Sequence, residues 1–287
     1  DDWISQLPDE ILVVVLSSLP LKEAARTSVL STRWINLWKH TSCLDFEAES
    51  SLSERRKYVR WVNSVIRSYE GGSTLKHFRI CFDLDRCSQK VITKWLEFAF
   101  ARQVERLRLE LLEYGDFEKV PSEVYAFPKH LLLVNNFKSL KALCLKSVDV
   151  TDEAIHFFIR NCQFLEQLIV HGALNITNLE VCGSSLGLKH LEISYCFRLK
   201  SVKVSAPNLT SLKVTTVQGL FLENVPMLVD VFVACGELYA NKLAPALLSC
   251  IQQLEILTLW LNFPKEDIEQ GKFPELPKLK KLVIRYN

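Results

Sequence analysis

The sequence predicts an α+β chain, an α/β solenoid: a small N-terminal module of three short helices, then an irregular array of repeats whose short parallel strands line a concave sheet. Two observations carry this. From residue 75 onward one apolar spacing returns again and again, an aliphatic residue, two variable ones, an aliphatic, one variable, an aliphatic. Before it, the first thirty-eight residues carry helix-start and helix-stop signals close together.

The module comes first. In Leu7-Pro8-Asp9-Glu10 a proline stands where a first helical turn tolerates it, and the acids after it favour the positive end of the helix dipole. Ile11, Leu12, Val15, Leu16 and Leu19 then recur at helical steps, and Pro20 stops the run. Ser31 through Trp38 supplies the last helix, with Trp34 and Leu37 as apolar anchors. So short a stretch cannot bury this much apolar surface by itself, which implies a partner. A connecting segment, a strand and a helix that cap the array, follows over residues 44–74. Within it, residues 54–69 place Tyr58, Trp61, Val62, Val65, Ile66 and Tyr69 on one helical face, and Gly71-Gly72-Ser73 breaks the helix. A further helix over 89–102 turns Val91, Trp95, Phe98 and Ala99 inward, with Trp95 read as core.

The array occupies residues 75–287. Its nine instances are Leu75-Phe78-Ile80, Val104-Leu107-Leu109, Leu140-Leu143-Leu145, Leu165-Leu168-Val170, Leu188-Leu191-Ile193, Leu209-Leu212-Val214, Leu228-Val231-Val233, Leu254-Leu257-Leu259 and Leu279-Leu282-Ile284. The intervals are irregular but centre on a period of roughly 20–29 residues. Three residues past the third aliphatic, Cys196, Asn262 and Asn287 can satisfy backbone groups as the chain leaves the strand; the other six repeats carry other residue types there. Half-repeats at Ile176-Leu179-Val181 and Leu199-Val202-Val204 point to convex connections that are strands, whereas Thr151-Asp152-Glu153 before Ile155, Phe158 and Ile159 reads as a capped helix.

Apolar residues make up 48% of the chain and the net charge is only +2, so neither nucleic-acid backbones nor anionic membranes are implied as partners. The nine cysteines include no pair two residues apart, which points away from zinc knuckles and redox pairs and toward an intracellular, nuclear or cytoplasmic, setting. The longest apolar runs, Ile11 to Leu16 and Leu131 to Val134, fall far short of the ~20 residues of a membrane span.

The search for chemistry finds no active site. Gly183-Ser184-Ser185-Leu186-Gly187 has nucleophile-elbow spacing, but a repeat strand follows it and Ser185 gains no assignable acid and histidine. His77, Cys81 and Cys87 lack a fourth zinc ligand, and Asp83-Leu84-Asp85 lacks the glycine of a calcium loop, so no metal or other cofactor is expected. Asn175-Ile176-Thr177 and Asn208-Leu209-Thr210 are sequons in form, expected to be coincidental.

Residues Ile4 through Trp38 resemble an F-box, and with the repeats behind them the chain is similar to plant F-box proteins carrying leucine-rich repeats. The resemblance implies an F-box over residues 1–43 that docks on a Skp-family adaptor, and through it on a cullin/RING ubiquitin ligase, while the repeats hold the protein to be ubiquitinated. On that pattern adaptor contact falls to Leu7, Pro8, Ile11, Leu12, Leu16, Leu19, Pro20, Val29, Leu30, Trp34 and Leu37, with Leu16 and Leu30 the members most suited to internal core. Pro8 and Leu12 are expected to act as hot spots worth about 2 kcal/mol or more. Side chains flanking the buried aliphatics face the concave side. Cations predominate there, and the expected substrate contacts are Arg79, Arg106, Arg108, Lys146, His171, Lys213, Phe232, Ile256, Trp260 and Arg285. Arg79, Arg106 and Arg108 are expected to take an acidic segment, and Phe232, Ile256 and Trp260 to form one exposed apolar patch. The protein is thus expected to be a non-catalytic substrate receptor. A scaffold that binds the adaptor without ligase activity is the alternative, and a small-molecule receptor of the same design is disfavoured by the short array. The resemblance also leads one to expect a C-terminal FBD segment, of which this sequence, ending at Asn287, carries none.

Overall fold

A computed structural model describes residues 3–47, 55–111, 124–134, 137–183, 186–215, 219–235, 245–261 and 275–286. The N-terminal module holds α1 (Asp9–Leu16) and α2 (Leu21–Arg26), with Pro8 and Pro20 as their N-caps. Pro20 therefore starts the second helix as well as following the first. In place of the helix expected over Ser31 to Trp38 stand two 3-10 turns, Thr32–Ile35 and Leu37–His40, with a third, Thr27–Val29, before them. The hydroxyls of Thr27 and Ser28 bond the carbonyls of Ala24 and Ile35, which competes with continuous helix.

Fifteen strands follow among the described residues: β1 (Cys43–Glu47), β2 (His77–Cys81), β3 (Arg106–Glu110), β4 (Tyr125–Ala126), β5 (Ala142–Lys146), β6 (Val148–Asp149), β7 (Gln167–His171), β8 (Asn178–Cys182), β9 (His190–Ser194), β10 (Ser201–Ser205), β11 (Ser211–Thr215), β12 (Gly219–Glu223), β13 (Asp230–Cys235), β14 (Ile256–Leu261) and β15 (Lys281–Tyr286). Ten of them form one sheet in the order β1-β2-β3-β5-β7-β9-β11-β13-β14-β15, with every pairing parallel. The nine repeat motifs supply nine of these strands. The tenth, β1, begins the sheet one strand before the repeat pattern does, and its Leu44 and Phe46 are fully buried like the motif aliphatics. On the last strand the equivalents Leu282 and Ile284 are half exposed.

Helices α3 (Arg55–Ser68), α4 (Gln89–Ala101), α5 (His130–Val134) and α6 (Asp152–Asn161) form the described helical connections. In α3, Tyr58, Val62 and Val65 are buried, and in α4 Trp95 is buried with Nε1 donating to Asn63 Oδ1 of α3 at 2.8 Å. Thr151 caps α6, its hydroxyl accepting from the Ala154 amide. Beyond α6 the back of the solenoid changes to strands: both half-repeats are extended, and β12 joins them in a second parallel sheet ordered β12-β10-β8. α6 seals the free edge of that sheet. Asp152 accepts from the Thr177 and Asn178 amides and the Thr177 hydroxyl, and His156 Nε2 accepts from the Glu180 amide.

The exits from the concave strands need left-handed backbone. Ser147, Gly172 and Tyr195, each directly after β5, β7 or β9, have positive φ, and the Gly172 amide donates to Ser194 O at 2.9 Å. Cys196, in the turn slot, is fully buried with its thiol 3.5 Å from Ser194 O; Asn262 and Asn287 lie outside the described residues. No helix of the described residues is long and apolar enough to cross a membrane.

Candidate functional site

The module divides its apolar residues between a small core and an outer surface. Leu12, Leu16, Ala24, Trp34 and Leu37 form the core. Leu16 lies in that core, as read from the sequence, but three other expected adaptor contacts are corrected: Leu12 is fully buried, and Trp34 and Leu37 nearly so, because they hold the module together. Leu30, the other residue read as suited to the core, is instead 64% exposed. Leu7, Pro8, Ile11, Leu19, Pro20 and Val29 are exposed as well. Arg33 fixes the start of this surface, with Nε donating to Asp9 Oδ1 at 2.8 Å and a terminal nitrogen donating to Leu7 O. Trp3, Ile4, Val14, Val15 and Ile35 are exposed beside them and were missed by sequence reasoning. The signal was present. Six consecutive apolar residues from Ile11 to Leu16 on a helix cannot all face one core, so part of α1 had to be turned outward.

Module and array share packing. Leu21 belongs to the array's core, and Trp38 packs on both cores. The Ser42 amide donates to Ser17 Oγ at 3.1 Å, and Lys39 pairs with Glu70 at 3.1 Å.

Parallel register places the concave side chains in three rows. At the β1 end, Asp45, Arg79 and Arg108 share one row, and Glu47, Cys81, Glu110, Lys146 and His171 another. Arg79 reaches Glu47 at 2.7 Å and Asp45 at 3.4 Å; Glu110 receives Arg108 at 2.6 Å, Lys146 at 3.3 Å and Arg79 at 3.7 Å. Burial raises the Glu110 carboxyl, but the hydrogen bond from Arg108 and the charges of Lys146, Arg108 and Arg79 outweigh it and leave the group below its ordinary range. The expected reservoir of free cations is therefore corrected: Arg79, Arg108 and Lys146 are neutralised within the face by Glu47, Asp45 and Glu110. Two of those acids stand on β1, which the repeat pattern does not reveal. Arg106 is exposed and has no ion pair among the described residues.

Further along, Lys213 lies 2.8 Å from Glu192 and 5.4 Å above the Phe232 ring. Burial pushes Glu192 up, yet hydrogen bonds from His190 and Lys213 and the lysine's charge bring it down to about 2. His171 is pushed down to about 4, by burial first, and its ring centre lies 4.7 Å from that of Tyr195. Phe232, Ile256 and Trp260 do not form one exposed patch. All three are half-buried and stand in different rows, opposite Thr258, Asp230 and Ala234. Arg285 is exposed and in register with Trp260.

Ser184 and Ser185 lie outside the described residues; Gly183 and Leu186 beside them belong to the turn from β8 to β9. Among the described residues no group of three or more His, Cys, Asp and Glu is placed to hold a metal ion. The sequon asparagines hold backbone and side chain in the solenoid, Asn175 Nδ2 donating to Asp149 Oδ2 at 2.7 Å and Asn208 Nδ2 to Leu186 O at 2.8 Å.

Comparison with known proteins agrees with this two-part plan. The F-box domain family matches residues 4–45, and the family described as At1g61320/AtMIF1, LRR domain, matches residues 133–287. Among Arabidopsis thaliana proteins, F-box/LRR-repeat protein At3g03360 is 28% identical over 99% of this chain and 64% of its own length. Putative F-box protein At1g49610 is 31% identical over 92% of this chain and 71% of its own. FBD-associated F-box protein At3g52670 is 28% identical over 93% and 68%. The chain thus spans about two thirds of the length of these relatives. An F-box with an exposed apolar surface, joined to a leucine-rich-repeat solenoid, has the form of a substrate adaptor and places the chain in the plant F-box/leucine-rich-repeat family.

Proposed function

We propose that this protein is the substrate-recognition subunit of a Skp/cullin/F-box ubiquitin ligase and acts inside the cell. One observation carries the reading: Leu7, Ile11, Leu19, Val29 and Leu30 stand exposed on a module whose separate core is already complete without them. They are the residues offered to the adaptor. The concave sheet holds the target protein, with the exposed Arg106 and Arg285 as its most available contacts and the half-buried Trp260 in register beside Arg285. The protein itself makes no bond; it raises the effective concentration of the target's lysines near the charged conjugating enzyme.

Co-purification with a Skp adaptor and cullin, followed by transfer of ubiquitin to captured partners, tests the reading. Ile11→Lys with Val29→Lys is expected to abolish adaptor binding while leaving the fold intact. Adaptor binding without cullin recruitment would instead make the protein a scaffold, and intact adaptor binding by the double variant would overturn the assigned surface.

A further inference from the structure

Helix α3 turns its apolar residues to the array and presents one row on the opposite side. Tyr58, Val62 and Val65 are buried; at about 100° per residue Arg56, Arg60 and Arg67 fall together on the opposite line of the helix, and all three are exposed. They rise along the axis by ~6 and ~10.5 Å, a row of about 16 Å. Among the described residues none of the three has a carboxylate partner, and Arg60 Nε donates to the Arg56 carbonyl at 3.3 Å. Elsewhere the surface matches cation to acid: Arg55 pairs with Asp83, Lys141 with Glu105 and Lys203 with Glu223.

The row also works against the helix that carries it. Arg56 and Arg60 are like charges four residues apart, and the first turn holds Arg55, Arg56 and Lys57 with no acid, contrary to the helix dipole. In a chain whose net charge is only +2, charge concentrated against local preference points to a role outside the fold. Complementarity defines the occupant. Guanidinium forks take carboxylates, and ~16 Å is the length of about five extended residues. A nucleic-acid backbone or an anionic membrane calls for a wider basic field than three side chains on a chain of nearly balanced charge. The chain's own Glu49 and Glu54 precede the first turn, whereas Arg67 stands about 18 Å along the axis from Arg55.

We propose that the row Arg56, Arg60 and Arg67 binds a short acidic segment of a partner protein, at a site separate from the concave face and from the F-box surface. Titration of the full-length chain with a fluorescent decaglutamate peptide tests this: a single site is expected, weakening steeply as salt is raised. Arg60→Glu combined with Arg67→Glu should weaken it about tenfold or more, with a melting temperature unchanged or higher because like-charge repulsion is relieved. Arg106→Glu, on the concave face, should leave the binding unchanged. No binding at low salt, an equal loss with Arg106→Glu, or a lower melting temperature for the double variant, which would make the row part of the fold, would each overturn the proposal. So would tighter binding of decauridylate or of phosphatidylserine vesicles than of the peptide. A tenfold gain in peptide affinity on Glu49→Gln with Glu54→Gln would show the row already served by the chain itself and overturn it as well.

Discussion

Arg108 grips Glu110 from two positions back on the same strand, Nε donating at 3.1 Å and Nη2 at 2.6 Å to one carboxylate oxygen. Residues at this spacing share a face, so the pair is fixed by the strand's own pleat. Glu110→Gln leaves Arg79, Arg108 and Lys146 without their common counter-charge in a half-buried place. Chemical denaturation should register a loss of about 2 kcal/mol, with adaptor binding retained. An unchanged denaturation midpoint would mean the cluster is too well hydrated to matter.

Acid should destabilise the array in two stages. His171 has a folded value of about 4 against an ordinary 6.5, so the unfolded chain binds the proton first and stability drops as pH falls from 6.5 toward 4. Glu192, held at about 2 against 4.5, contributes stability that is full above 4.5 and lost as pH falls toward 2. Urea midpoints measured across pH 2–8 should show both limbs, the upper one flattened by His171→Asn and the lower one by Glu192→Gln.

Within α1, neighbouring residues should separate folding from docking. Leu12→Ala is expected to destabilise the module by about 2–5 kcal/mol, because it opens a cavity in a five-residue core. Ile11→Ala should stay within about 0.5 kcal/mol for folding yet weaken capture of a Skp adaptor in a binding titration.

The α6 seal predicts local loosening. Asp152→Ala removes the acceptor for the Thr177 and Asn178 amides, and hydrogen exchange at those two positions should accelerate well before the concave strands respond.

Much of this architecture was legible in the sequence because burial imposes a period. The nine aliphatic triads marked nine concave strands, and Tyr58, Val62 and Val65 marked α3. What escaped was set by partners distant in sequence. Leu44 and Phe46 alternate correctly, but without a third aliphatic upstream they do not register as a repeat, so the connecting strand was not counted in the concave sheet and its acids Asp45 and Glu47 were missed. The concave cations looked free for that reason. On α1, spacing separated helix from loop, but which stripe met the core depended on where Trp34 and Leu37 arrived. β12 escaped because Phe221 interrupts an otherwise weak pattern.

The shared packing of Leu21, Trp38 and Ser17 bears on how such proteins can be recombined. A graft that joins this array to a foreign F-box at residue 43 would take Leu21 out of the array's core and Lys22 from over the Trp61 ring, and leave the Ser42 amide without Ser17 Oγ. The seam that can be cut lies elsewhere, between outward-facing Ile11 and inward-facing Leu12: exchanging only the outward residues would retarget the protein to another adaptor while keeping the angle at which its array is held.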